Sequence, residues 1–320
     1  MKLLIFILVT LVFIRPVYGV VNELNVITSL SSSDPMYQGL LKFKQGVETA
    51  TNKDIIVRIF VGSQLGSDND ILEQARAGAN VAVLVDGGRL AIYQNEMGIL
   101  GAPYLASGLA EVKKIVTSTV FNAWAAQLSQ NAGLKVLSFN WWQGERHLLT
   151  HKEINHPDDL IGVRIRTIGA PVWLETIRAL GATPTPLGWT EVYSALQQKV
   201  IDGAEAQHPG TWGSRLYEVI TYITKTAHIN LISGLVGSAT WFDKLSIAHQ
   251  LIVTEQAFLA GEFASQLNFD LLAEYETKMR DYGVVIHEVD TRAFIEATNK
   301  TYDVLGYTEL RAKLKLSLKQ

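Results

Sequence analysis

The side chains best suited to chemistry in this 320-residue sequence are arginines and their polar neighbours, not nucleophiles. Arg164 and Arg166 alternate along the apolar run Val163–Thr167, which reads as a strand, so both fall on one face. In open α/β sheets ligands lie beyond the carboxyl ends of strands, which favours Arg166 for a crevice and leaves Arg164 nearer solvent. A guanidinium is planar and always charged, and it grips a carboxylate through two parallel hydrogen bonds. A surface or interlobe ion pair is the competing role for Arg166. Asp86-Gly87-Gly88-Arg89 follows the strand Val81–Val85, again at a carboxyl end, where the glycines would let backbone approach a ligand closely. An Asp–Arg pair serving only the fold competes with ligand contact there. Trp189 lies in a Gly-Trp-Thr turn and reads as a pocket wall, with core packing as the alternative. Gln64 and Asp68 stand at a helix start, where capping is the simpler role.

Catalytic signatures are missing. The sequence has no phosphate loop, no His-Glu-x-x-His helix, no Gly-x-Gly-x-x-Gly after a strand and no Gly-x-Ser-x-Gly elbow. His147, His151 and His156 are the only close histidines. With no carboxylate completing a ligand spacing they read as ordinary surface histidines, and no metal or other cofactor is expected. Asp158-Asp159 reads as a helix start or solvated turn.

Composition narrows the class. Apolar residues make up 48% and charged residues 18%, which excludes a disordered or fibrous chain. There is no cysteine, hence no disulfide, thiolate metal site or cysteine lipid anchor. Residues 1–19 read as a secretory signal peptide: Lys2, then the apolar run Leu3–Ile14, then Pro16 and Val17-Tyr18-Gly19. That run is too short to span a bilayer, which needs about 20 residues. Removing Lys2 and Arg15 leaves 26 of the 28 basic residues against 31 acidic ones, a net charge of −5. With no basic run to follow a phosphate backbone, nucleic acid is not an expected partner. Export without a lipid anchor implies a chain free in a periplasm.

The elements that must position these side chains alternate. Leu24–Ser29, Ile55–Phe60 and Val81–Val85 read as strands, separated by helices from Pro35 to about Thr51 and over Asn69–Ala77. This order predicts a parallel sheet with crossover helices. Helices over Leu109–Ser118 and Val120–Ala132 lead to a strand at Leu134–Asn140. A second unit follows, with strands at His147–Thr150, Val163–Thr167 and Val200–Ala204. Its helices are Pro171–Leu180 and Thr190–Gln198, the latter capped by Thr190. From Ser246 to about Tyr282 the pattern is one unusually long helix ending at Gly283. The expected fold is α/β, a two-lobe periplasmic binding protein fold (type II-like) with a long interlobe helix. Lobe I would hold residues 20–143 plus about 232–271, and lobe II 144–231 plus about 272–320. No heptad or apolar repeat is present, which suggests a monomer.

Four ordered motifs carry a family resemblance. They are Leu160-Ile161-Gly162-Val163-Arg164-Ile165-Arg166, Leu180-Gly181-Ala182-Thr183-Pro184-Thr185-Pro186, Glu191-Val192-Tyr193-Ser194-Ala195-Leu196-Gln197 and Ile201-Asp202-Gly203-Ala204-Glu205. Gly62–Gly66 and Gly101–Leu105 also fall in family order. Together the chain resembles the solute-binding subunits of TRAP (tripartite ATP-independent periplasmic) transporters, DctP type. The resemblance implies a small organic carboxylate as ligand, a C4-dicarboxylate or sugar acid being favoured, and two TRAP membrane permease subunits, small and large, as partners. It implies Arg166 as carboxylate clamp, Arg146 as a second crevice arginine, with a structural salt bridge as the competing role, and Trp189, Asp86 and Arg89 as contacts. Family members often carry Asn where this chain has Ala206, so that amide donor is either missing or supplied by Gln207. The tryptophans Trp141, Trp142, Trp173, Trp189 and Trp212 suggest a bulkier or more apolar ligand, core packing being the alternative. A binding protein of another importer or a sensor, or a periplasmic enzyme on the same lobes, are the rival functions. An enzyme would need an acid or base poised in the cleft.

Overall fold

The computed structural model describes residues 22–318; the expected signal peptide lies outside them. The chain opens with β1 (Asn22–Ile27), α1 (Pro35–Ala50), β2 (Ile55–Phe60), α2 (Asp68–Arg76) and β3 (Val81–Asp86). The start of α1 is set by chemistry the sequence displays. Asp34 accepts a hydrogen bond from the Met36 amide at 2.9 Å, and Pro35 stands where a missing N–H costs nothing. Met36, Leu40, Phe43 and Val47 then recur on one face and are buried. At α2 the cap is Ser67, locked reciprocally with Asp70, so neither Gln64 nor Asp68 has the capping role expected of it.

A single turn, α3 (Gly87–Leu90), a 3-10 segment Asn95–Gly101, α4 (Leu109–Thr117) and α5 (Thr119–Ala132) lead into β4 (Leu134–Thr150). Then come β5 (Arg164–Thr167), α6 (Pro171–Ala179), β6 (Thr183–Pro186), α7 (Val192–Gln197), β7 (Gly203–Ala206) and α8 (His208–Gly213). The chain closes with β8 (Tyr222–Ser238), α9 (Ala239–Asp243), α10 (Ile247–Tyr282), β9 (Val285–Glu288), α11 (Arg292–Val304) and α12 (Thr308–Ser317).

The nine strands follow the order β2-β1-β3-β8-β4-β7-β5-β6, with β9 paired to β8. The sheet is mixed rather than parallel: β1, β2 and β3 pair in parallel, as do β5, β6 and β7, but β8 and β4 run antiparallel to each other and to their outer neighbours β3 and β7. The expected strands at Leu134–Asn140 and His147–Thr150 are the two ends of one 17-residue strand, β4. Its partner β8, also 17 residues, was not foreseen. The two strands pair along nearly their whole length, with four shifts of register, one of them between Trp142 and Gly144. Gly144 takes a φ of +108° there, open to glycine and strained for other residues. Helix α10 spans 36 residues, starting at its Ser246 cap and stopping at Gly283 in the left-handed region.

The expected strand at Val200–Ala204 begins later, at Gly203. Helix α7 begins at Val192, after a 3-10 turn Trp189–Glu191 in which Glu191 Oε2 accepts the Gly188 amide at 2.7 Å; Thr190 is not its cap. Asp158 and Asp159 lie in a short 3-10 turn, as read from the sequence.

Candidate functional site

The carboxyl ends of β1, β3, β5 and β7 converge on one cavity of about 50 Å³. Seven of the eight residues singled out in the sequence line it: Asp68, Asp86, Arg89, Arg146, Arg166, Trp189 and Gln207. Gln64 does not; it sits exposed in the turn before α2.

Arg166 is 1% exposed. Its Nε and Nη2 donate to the Leu187 carbonyl at 3.0 and 2.7 Å, while Nη1 has no partner among the described residues. The guanidinium carbon lies 5.3 Å from the centre of the Trp189 ring. Burial pulls its pKa down from 12.5 to about 9; Glu205 opposes the shift, and Arg146 and Arg89 add to it. The Trp189 Nε1, also buried, is a second donor without a partner among the described residues. Arg164 has the opposite fate. It stays exposed and pairs with Asp202 at 2.9 Å, so position along the strand, rather than face, separates the two arginines.

Arg146 is complete. Its Nε pairs with the Glu205 carboxylate, Nη2 donates to the Glu205 carbonyl, and Nη1 donates to Gln207 Oε1 at 2.9 Å. Glu205 also accepts the Thr167 hydroxyl at 2.8 Å. The amide chain continues: Gln207 Nε2 donates to Gln143 Oε1 at 3.1 Å, and Gln143 Nε2 to Ser233 Oγ at 2.6 Å. Ala206 is buried in β7 opposite His147, and the neighbouring amide Gln207 takes the cavity-facing place.

On the opposite wall Asp86 accepts the Arg89 amide at 3.1 Å, the Arg89 Nη1 and the Trp173 Nε1 at 2.9 Å. The glycines beside it serve a close approach, but of protein to protein. A Cβ on Gly88 would lie 2.2 Å from Trp173 Nε1, and one on Gly87 2.5 Å from the Met97 carbonyl oxygen. Asp68 has Arg89 Nη2 and the Ser29 hydroxyl each at 3.4 Å from Oδ2. Its carboxyl is pushed up mainly by burial.

The other tryptophans are core. Trp141 and Trp173 are fully buried, Trp142 nearly so, and Trp212 stacks on Tyr217 at 4.5 Å. The surplus of indoles therefore does not indicate an apolar ligand; Trp189 alone of the five lines the cavity. The close histidines separate. His151 and His156 are exposed, while His147 is buried, not at the surface as expected. Its Nδ1 accepts the Ala227 amide at 3.2 Å and its ring lies 4.8 Å from that of His208. Residues that sequence reasoning missed are Ser29, Gln143 and Ser233, which line the cavity, and Trp173 and Glu205, which hold its charged groups. Glu205 was within reach, because it ends the last of the four motifs.

Chemically, the site offers a guanidinium N–H and an indole N–H, both without a partner among the described residues, to an anion, beside the ion pairs Arg146–Glu205 and Arg89–Asp86. A similar chain is a TRAP periplasmic solute-binding protein of Escherichia fergusonii, solved in an apo open form: 44% identity, 92% of this chain and 99% of that one covered, TM-score 0.82. Another, from Actinobacillus succinogenes, was solved with bound L-galactonate: 28% identity, 93% and 100% covered, TM-score 0.88. The 2,3-diketo-L-gulonate-binding periplasmic protein of Escherichia coli is 27% identical, with 83% of this chain and 81% of that one covered. These relatives are periplasmic solute-binding proteins, and residues 27–308 match the family described as bacterial extracellular solute-binding protein, family 7. This chain belongs to that family, the DctP solute-binding proteins.

Proposed function

We propose that the protein is exported by its N-terminal signal peptide and acts in the periplasm as a monomer. There it captures a small organic carboxylate, a sugar acid or C4-dicarboxylate, and delivers it to the small and large subunits of a TRAP permease. It does no chemistry on the ligand. The observation that carries this reading is the buried Arg166 Nη1, a cationic donor without a partner among the described residues, facing a cavity beside the unpartnered Trp189 Nε1. A buried donor left unmatched is costly, and a carboxylate satisfies both groups at once. Arg146, Gln207, Asp86 and Arg89 form the walls. The permease rests on family membership and on the relatives' description as TRAP proteins.

The proposed lobes divide at residues 143/144 and 231/232. The register pair Gly144–Leu231 lies beside one of the four register shifts of the β4–β8 ribbon and at the positive φ of Gly144, which supports a hinge there, and α10 crosses it. Closing the lobes around an acid would exclude water and strengthen its pairing with Arg166, so that binding shifts the population toward the closed form.

The test is a thermal-shift screen of the mature chain against small organic acids. Binding to the folded state alone adds about 2.7 kcal/mol of stability at a hundredfold excess over Kd. A shift with one class of acids, lost in Arg166→Ala, is the expected result. No shift with any carboxylate, or a shift indifferent to that substitution, would end the carboxylate reading.

A further inference from the structure

Away from the cavity, the long helix buries an amide that bonds to nothing. Asn268, on the inward face of α10, is fully buried, and neither its Oδ1 nor its Nδ2 has a hydrogen-bond partner among the described residues. Leaving both atoms unmatched carries a desolvation cost that an apolar side chain of similar size would not incur. One turn earlier on the same face, Ser265 shows what such a position can do. Its hydroxyl accepts the Trp142 amide at 2.8 Å and donates to the Asn140 carbonyl at 2.7 Å, so it fastens the backbone of β4 to the helix.

Asn268 faces the next stretch of β4. A Cβ on Gly144 would lie 3.5 Å from Asn268 Nδ2 and 3.5 Å from Gln207 Cβ, so the glycine lies between the helix and the cavity wall. There β4 changes register against β8: Trp142 pairs with Ile232 and Gly144 with Leu231, which leaves Gln143 as an extra residue. Gln143 in turn accepts from Gln207 at 3.1 Å and donates to Ser233 at 2.6 Å in the cavity. The cleft is shut in this arrangement. Ser31 Oγ donates to the Gly213 carbonyl at 3.2 Å, and this bond, like that between Gln207 and Gln143, joins residues of the two proposed lobes. Parting the lobes must turn the backbone at Gly144, where the proposed boundary falls, and so must carry the amides and carbonyls of Gln143 and Gly144 past Asn268.

We propose that Asn268 is a positioning residue for binding: it hydrogen-bonds the β4 backbone at Gln143 and Gly144 when the lobes are apart, gives up those bonds when they close, and so holds the ligand-free protein open. A ligand has to make good that loss, which keeps the cleft accessible until an occupant arrives and loosens the hold on it afterwards. The inference rests on the reading of Gly144 as a hinge and asks nothing of the carboxylate clamp.

The sequence has no cysteine, so Gln45→Cys on α1 and Gln197→Cys on α7, both exposed, give two labelling points, one in each proposed lobe. Single-molecule energy transfer between the labels then reads the separation of the lobes in the mature chain without ligand. Asn268→Leu should raise the ratio of closed to open molecules by about tenfold or more, the factor that one unmatched buried polar group is worth. Ser265→Ala is the control, because both of its bonds stay within lobe I. It should weaken resistance to denaturant and leave the ratio near the wild-type value, as would Asn268→Leu if Asn268 were merely structural. If the leucine variant fails to fold, Asn268→Ala takes its place with the same expected direction. A ratio that stays unchanged or moves toward the open form overturns the proposal. Two populations whose ratio ignores Asn268 would sink this inference and spare the hinge. One separation in every variant would sink it too: if that separation is the one in the shut structure the hinge falls with it, and if it is longer the hinge stands.

Discussion

Arg146 and Arg166 sit on either side of β7, on β4 and β5, and both are buried against the same cavity. Arg146 meets a carboxylate, a carbonyl and an amide oxygen, all supplied by β7 and the residue after it. Arg166 meets a single carbonyl, and its Nη1 is left over. Burial has the same cost for both, so the difference lies in what was built around them. One guanidinium is finished by the fold; the other keeps a donor without a partner among the described residues. Buried charge by itself therefore does not mark a binding group, whereas buried charge with a donor to spare does.

The largest expected effect separates the two. Arg146→Ala strips the fully buried Glu205 of its counter-ion and should cost about 3–5 kcal/mol in denaturant unfolding of the ligand-free protein. Arg166→Ala removes a cation that has no ion pair among the described residues and donates only to the Leu187 carbonyl, so its unfolding free energy should fall by about 1–2 kcal/mol at most. Equal losses in the two variants would erase the distinction.

A smaller effect tests the wall facing Arg166. Asp86 there is completed partly by Trp173, whose indole N–H reaches it from α6. Trp173→Phe removes the donor and shrinks a fully buried ring that also lies 5.1 Å from the Arg146 guanidinium. Losing a hydrogen bond to a charged group, together with the void left by the smaller ring, should cost at least about 2 kcal/mol of stability, read by the same unfolding measurement. A loss below about 0.5 kcal/mol would mean that Arg89 alone satisfies Asp86, and that wall would then be less built than its geometry suggests.

These residues also mark how far the sequence could be read. Arg166 was legible because strand position and guanidinium chemistry agree, and the family motif ends on it. Asp86–Arg89 was legible as a place but not in its partners, since Trp173 lies 87 positions away and enters through the fold. The outer strands are runs of four to six residues, several of them rich in β-branched side chains, and α10 repeats its buried positions every three or four residues. The central ribbon gives neither signal: β4 and β8 run for 17 residues each, buried almost throughout, so no alternation marks them and their length exceeds that of an ordinary strand. Read from the sequence, the strand stops at Asn140 and resumes at His147, on either side of Gly144. Gln143 and Ser233, carried by that ribbon, went unseen with it. Gln64 was misplaced for the reverse reason: closeness to a helix start in sequence does not decide facing, and the Val61–Gly66 turn leaves it exposed.

The finest test asks whether Glu205 is satisfied by Arg146 alone. His228 is fully buried with its Nε2 3.8 Å from Glu205, and its Nδ1 shares a 2.7 Å hydrogen bond with the Thr226 hydroxyl. Burial, with Arg146 adding, pushes its pKa from 6.5 down to about 3. Between those values the unfolded chain takes up a proton and the folded chain does not, so stability falls as pH drops from 6.5 toward 3. His147, also lowered by burial, acts in the same direction, whereas Asp34, pushed up to about 6, acts in the opposite one between pH 6 and 3.8. Comparing His228→Asn with wild type cancels both of those contributions. The variant's stability should decline less steeply by about 1.4 kcal/mol per pH unit between roughly pH 6 and 4, followed by unfolding at a series of pH values. Parallel curves would mean that His228 is protonated in the folded protein and ion-paired with Glu205. Arg146 would then be sharing its carboxylate, and the contrast with Arg166 would be one of degree.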